Sequence, residues 1–202
     1  HSADIDLSID CREMALFEIN HLIGAGIKFL DVGTDFNLEM RKKIVNPVKY
    51  RLIENMDEDE IGRIYDDYDL VEGISDLETI KNMAVYGLKI GKIVSVLIKV
   101  DIIGKSGKYG VFPKNLMDFL KGCSAYSAIK VRGIMVDFPP FNNEYDAKKS
   151  YIKLAGLLKV LRLRYKNLKV LSTNIHEISE VEFAVENGVT EIRIPKNILE
   201  KD

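Results

Sequence analysis

LKVLSTNIHEISEVEFAVENGVTEIRIPKNIL, residues 168–199, decides how the rest of the chain is read. Val170 and Leu171 open a strand by β-propensity, and Ser172, Thr173, Asn174 and His176 break it with polar side chains. Val181, Ala184 and Val185 recur at helical spacing, and Asn187-Gly188 closes that helix as a C-cap pair. Glu191, Ile192, Arg193 and Ile194 follow as a second short strand. Strand, helix, strand in this order is a βαβ unit, and such units place ligands beyond the carboxyl ends of their strands. Here those ends are residues 172–174 and 193–196.

The same alternation runs back to the start. Residues 3–10 alternate strictly, with Ile5, Leu7 and Ile9 on one face and Asp4, Asp6, Ser8 and Asp10 on the other, which is a strand pattern. A helix over 13–22 follows and stops at Gly24-Ala25-Gly26. Further strands are expected over 29–32, 50–53, 70–71, 94–100 and 130–136. Between them lie a short helix over 37–44 and one capped by Asp57 that runs through Ile64. The next is capped by Ser75 or Asp76 and carries Leu77, Ile80 and Met83 on one face. Another opens at Pro113, and the longest covers 146–165.

Eight strands, each but the last followed by a helix and none joined by a hairpin turn, predict a (β/α)8 TIM-type barrel, one domain over residues 1–202. The runner-up, an open doubly wound sheet, lacks its Gly-rich phosphate fingerprint. Only seven helices are legible. The groove between the last and first strands should therefore lie uncovered unless an N-terminal covering helix, absent from this chain, or a second subunit of a homodimer fills it. At that seam the polar face of the first strand suggests an ion pair between Arg193 and Asp6 or Asp10.

Composition bounds the function. The chain is 47% hydrophobic with a net charge of −2, so it can bury a sizeable core and has no global field favouring nucleic acid. No apolar run is long enough to cross a bilayer, so no membrane partner is expected. Cys11 and Cys123 lack metal-site spacing, so no metal is expected and a cytoplasmic setting with reduced thiols is. Residues 54–69 are strongly acidic, whereas 148–169 are basic without one acid. Both fall on amphipathic helices, where solvated faces are the plain reading and a charge-complementary protein partner is the functional one. No interleaved aromatic platform marks the basic helix for RNA.

Residues 92–110 (KIVSVLIKVDIIGKSGKYG), 131–135 (VRGIM) and the Leu171-Ser172, Gly188 and Ile192-Arg193-Ile194 series stand in an order and spacing that resembles the pyridoxal-phosphate homeostasis proteins. These are single-domain relatives of the alanine racemase N-terminal barrel. Gly24-Ala25-Gly26 and Ser75-Asp76 also fit. The resemblance implies pyridoxal phosphate at the barrel mouth, joined as a Schiff base to a lysine ending the first strand, with no robust catalytic activity. Where the family carries Ser-Lys there, this chain has Cys11-Arg12, and no lysine precedes Lys28. The stretch after the third strand becomes Asn55-Met56-Asp57, the phosphate loop becomes residues 172–176, and the Gly-Thr after the last strand becomes Pro195-Lys196. Arg193, which the resemblance places near the pyridine ring, is kept.

By that resemblance the cofactor-binding candidates are Arg12, Asn55, Met135, Ser172, Thr173, Asn174, Arg193 and Lys196, facing pyridoxal phosphate or another small phosphorylated or anionic ligand. Lys99, mid-strand among apolar residues, is the substitute for a Schiff-base lysine. It can equally pair with Asp101 or extend to solvent. His176, in a loop at a strand end, sits where catalytic bases occur, or is an ordinary loop residue. Arg12 can hold an anion or simply pair with Asp10. Asp10, Asp31, Asp101 and Asp137 close strands, as turn and cap acids do. The expected function is a divergent, non-catalytic homeostasis-like barrel that binds its cofactor weakly or has lost it. The alternatives are an amino-acid racemase using a displaced lysine and a protein-interaction module.

Overall fold

The structure, a computed structural model, describes residues 5–36, 38–44, 46–53, 61–104 and 110–200. Eight parallel strands close into a barrel: β1 (Asp6–Asp10), β2 (Phe29–Val32), β3 (Lys49–Leu52), β4 (Leu70–Ile74), β5 (Val94–Lys99), β6 (Ile129–Val136), β7 (Val170–Asn174) and β8 (Glu191–Ile194). Each pairs with its successor, and β8 pairs back to β1 with Ser8 opposite Arg193. The helices are α1 (Leu16–Gly24), α2 (Leu38–Arg41), α3 (Ile61–Asp67), α4 (Leu77–Ile90), α5 (Leu116–Cys123), α6 (Glu144–Arg164), α7 (Glu180–Glu186) and α8 (Lys196–Leu199). The Asp57 cap and Asn55 lie outside the described residues.

The caps that residue chemistry suggests form. Asp76 accepts from the Thr79 amide at 2.7 Å at the start of α4, and Gly91 ends that helix at a φ of 69°, where a side chain would be strained. Asn143 accepts from the Asp146 amide at 2.9 Å and starts α6 two residues earlier than the sequence pattern suggests.

Strand alternation divides the side chains into two populations. Ile9, Leu30, Leu52, Val71, Val96, Ile98, Ile134, Leu171 and Ile192 point outward and pack under the helices. The inward set has a small apolar cluster, Leu70, Leu97 and Met135, with Val170 against it. The rest of the interior is polar: Ser8, Asp31, Arg51, Glu72, Ser172, Glu191 and Arg193 are all buried. Gly133 permits a close approach of β6 to β7, because a Cβ there would lie 1.8 Å from the Val170 carbonyl oxygen.

One sequence expectation changes at the seam, and a short helix that the sequence pattern does not show follows β8. Pro195 starts the one-turn helix α8, Ile198 is buried, and Lys196 Nζ donates to the Glu13 carbonyl at 3.2 Å and to Glu18 Oε2 at 3.3 Å, tying α8 to α1. Ile192 is buried, while Leu7 on β1 is 41% exposed. Arg193 pairs with neither Asp6 nor Asp10. Its direct neighbour on β1 is Ser8, and its guanidinium crosses the barrel toward the end of β6 instead.

Candidate functional site at the barrel mouth

The carboxyl ends of the strands surround a cavity of about 360 Å³. Its walls include Asp10 and Arg12 after β1, Asp31 on β2, Lys99 on β5, Asp137 after β6, Asn174 and His176 from β7, and Arg193 and Pro195 from β8. A second cavity adjoins it around Asp10, Arg12, Glu13, Pro195, Lys196 and Asn197.

Arg12 holds its own neighbour. Nε and Nη2 donate to the two oxygens of Asp10 at 2.9 and 2.6 Å, the pairing the plain reading of an end-of-strand arginine expects. Across the mouth, Asp137 bridges two cations, with Lys99 Nζ at 2.6 Å and Arg193 Nη2 at 2.5 Å. Burial by itself would raise the Asp137 carboxyl, but Arg193 and Lys99 outweigh it and hold the pKa at about 2. Lys99 therefore meets Asp137, not Asp101; Asp101 accepts from the Gly104 amide at 2.7 Å and shapes the turn after β5.

Behind the mouth lies an ionic layer. Arg51 Nη1 stands 2.7 Å from Glu191 Oε2 and 3.5 Å from Glu72 Oε1, and Arg193 Nε lies 3.9 Å from Glu72 Oε2. Ser8 donates to Asp31 at 2.5 Å and Ser172 to Glu72 at 3.3 Å. Burial, reinforced by Glu72, pushes Asp31 up to about 8 against the pull of Arg51 and Arg193. Burial likewise pushes Glu191 up to about 7 despite Arg51. Asp31 thus holds its proton more tightly than a solvated carboxyl does.

The sequence candidates divide accordingly. Arg12, Lys99, Asn174, His176 and Arg193 meet at the mouth, and Lys196 lines the adjoining cavity. Ser172 points into the barrel at Glu72, and Met135 is packed with Leu70 and Leu97 in the barrel interior. Thr173 Oγ1 donates to the Asn174 carbonyl at 3.1 Å and is buried. His176 Nε2 lies 2.7 Å from the Phe138 carbonyl and 3.0 Å from Asn174 Nδ2, and Asn174 brackets Phe138 from both sides, accepting from its amide at 2.7 Å and donating to its carbonyl at 2.8 Å. Both residues thus brace the loop after β6. Cys11 is buried, and burial raises its thiol well above the ordinary range, so it is no nucleophile.

Sequence reading did not single out Arg51, Glu72 or Glu191. A signal existed: each is a charge within a short strand otherwise made for burial, as in Leu70-Val71-Glu72.

A closed (β/α)8 barrel whose strand ends surround a small, ionic cavity defines the class of fold to which this chain belongs. Residues 11–174 match the family model described as alanine racemase, N-terminal domain, and the chain belongs to that family. Among curated proteins, the pyridoxal phosphate homeostasis protein of Aquifex aeolicus (strain VF5) is 31% identical over 99 residues, 49% of this chain and 43% of that relative, so the matched stretch spans under half of its length. Among solved structures, PipY of Synechococcus elongatus PCC7942 with PLP bound superposes with a TM-score of 0.82 at 14% identity, covering 98% of this chain and 93% of PipY. An unknown protein from Bifidobacterium adolescentis gives 0.80 at 15% identity, covering 98% and 85%. Alanine racemase of Clostridium difficile 630 gives 0.72 at 14% identity, covering 96% of this chain and 50% of the racemase. The resemblance to the homeostasis proteins read from the sequence therefore holds, and so does the barrel.

Proposed function

We propose that this protein is a non-catalytic, pyridoxal-phosphate-homeostasis-like barrel whose mouth takes a small phosphorylated anion, pyridoxal phosphate first among them, reversibly and without a covalent bond. One observation carries the reading: the end of β1, where the family's resemblance places the anchoring lysine, holds Arg12, and its guanidinium is closed on Asp10 at 2.6 Å. A guanidinium stays protonated and forms no imine with an aldehyde. The residues at the phosphate end point the same way. Pro195 has no amide hydrogen to offer, Ser172 is turned inward and Thr173 is used by the backbone. A covalently held cofactor does not fit this set. A reversible anion does, because Arg12, Lys196 and Asn197 line the cavity beside the mouth.

Lys99 is the competing observation, since it is an amine on the cavity wall. Its Nζ is closed on Asp137 at 2.6 Å and would have to leave that contact to reach an aldehyde. The test is a titration with pyridoxal phosphate followed by borohydride reduction and peptide mass mapping. Saturable binding without a visible imine band and without a lysine adduct is the expected result. A stoichiometric adduct on Lys99 would overturn the non-catalytic reading in favour of a racemase with a displaced lysine, and no saturable binding would remove the cofactor altogether.

A further inference from the structure

The outer face of α6 carries a second pattern that the barrel mouth does not explain. Ala147, Tyr151, Leu154, Leu158 and Leu161 face the barrel and are buried. On the opposite side Ile152, Val160 and Leu163 are 63%, 57% and 79% exposed. They follow one another at intervals of eight and three residues, which keeps them on one side of a helix, with exposed Gly156 between them. The helix is therefore apolar on two faces, one packed and one in water.

The flanks of that outer stripe are cationic. Lys153 and Lys159 project on either side of it, Lys149 stands in line with it one turn before Ile152, and Arg164, Lys166 and Lys169 continue past its end, all exposed. Residues 148–169 contain eight Lys and Arg and no acid, so the net charge of −2 divides into +8 on this segment and −10 on the remainder. At its amino-terminal end Glu144 pairs with Lys148 at 2.8 Å, and Glu182 and Glu186 stand near the same lysine. Chain segments of such polarity orient a molecule in an external field, and the strongly charged end here is the carboxyl-terminal two-thirds of α6.

We propose that this face of α6 rests on an anionic phospholipid surface. The face runs along a single helix of 21 residues, about 30 Å long. Isoleucine, valine and leucine form its centre line, and lysines along the edge can lay their stems on acyl chains while their ammonium groups stay at the headgroups. The acidic remainder is held off the surface by the same field that draws α6 down. The sequence expectation of no membrane partner rested on the lack of a spanning segment and is at odds with this proposal; no helix among the described residues is long and apolar enough to span. The contact proposed here is interfacial.

The test is flotation of the whole protein with vesicles of phosphatidylcholine alone and with vesicles in which phosphatidylserine replaces part of it. Retention is expected on the second and not the first, and it should fall as salt is raised. Lys149→Glu with Lys159→Glu, and separately Ile152→Ser with Leu163→Ser, should each lower the bound fraction about tenfold or more. All four positions are exposed, and thermal melts of the variants confirm folding. No retention on phosphatidylserine vesicles at low salt would sink the proposal, as would full retention of the serine variant. A dimer in light scattering that the serine variant abolishes would assign the face to a second copy of the chain and also overturn it.

Discussion

Arg51 and Glu191 are 140 residues apart in sequence and 2.7 Å apart inside the barrel, and both are nearly closed to solvent. They belong to a layer in which Glu72 is shared by Arg51 and Arg193. Charges are stable there only in company, because each has lost its water.

Removing one member should therefore cost more than removing several. Arg51→Met strands Glu191 and leaves Glu72 with Arg193 alone, and it is expected to lower stability by about 3–5 kcal/mol. Adding Glu72→Leu and Glu191→Leu to the same chain should recover most of that loss. Urea midpoints at constant slope read both effects, and a triple variant less stable than Arg51→Met would show that packing, not charge, sets the cost.

Asp31 gives the layer a pH dependence with a defined sign. Its folded pKa of about 8 lies above the unfolded value near 3.8, so the folded state holds the proton more tightly. That contribution is complete below the unfolded value and is lost as pH rises through about 8; Glu191, at about 7 against 4.5, acts in the same direction. Stability should fall across this window. Asp31→Asn keeps an oxygen to accept from Ser8 but cannot ionise, so it should flatten the slope and be the more stable protein at pH 8, by about 1–3 kcal/mol. A slope identical to the parent's would refute this role for Asp31. Asp137 has the opposite sign: its depressed pKa stabilises the fold above about 3.8 and that contribution is lost as pH falls toward 2.

Gly133 tests the close approach of β6 and β7. A methyl group there would collide with the Val170 carbonyl, which is backbone and cannot swing aside. Gly133→Ala is expected to cost about 3 kcal/mol or more and to loosen this pair of strands first, visible as faster amide exchange at Leu171, whose partner across the ladder is Ile134. Gly156→Ala, where a methyl meets nothing within 4 Å, is the control and should stabilise α6 slightly.

The barrel was legible because its outward-facing residues repeat in every unit. Val94 to Val100 announces a buried parallel strand by composition, residues 168–199 show strand, helix and strand by spacing, and Asp76 and Pro113 punctuate the helices by backbone preference. The interior was not legible for the same reason: the side chains that meet there come from eight strands, and periodicity says which face a residue takes but not whom it meets. Arg193 shows this well. Sequence placed it beside β1, where Ser8 does sit opposite, yet a long side chain reaches the next available carboxylate, Asp137, two strands away. The closing turn at residues 196–199 was missed because four residues are too few to show helical periodicity, and its stability comes from Lys196 and Ile198 contacts made at a distance.

The mouth itself can be asked to regain what its sequence lacks. Arg12 occupies the end of β1 with its guanidinium on Asp10, and the backbone amide of Arg12 donates to the same carboxylate at 3.2 Å, so the position is held from two sides. Arg12→Lys places a primary amine there on an unchanged backbone. Asp10 would hold that amine protonated, which slows imine formation; Arg12→Lys combined with Asp10→Asn frees it. With pyridoxal phosphate, the parent protein is expected to give no borohydride-fixed adduct, Arg12→Lys a partial one, and the double variant the most, located by peptide mass mapping at residue 12. Adduct yield should rise with pH in Arg12→Lys and depend less on pH in the double variant. If both variants bind pyridoxal phosphate reversibly yet never form the adduct, the ligand lies away from β1. The reading of this mouth as a homeostasis-type site without its covalent anchor then fails.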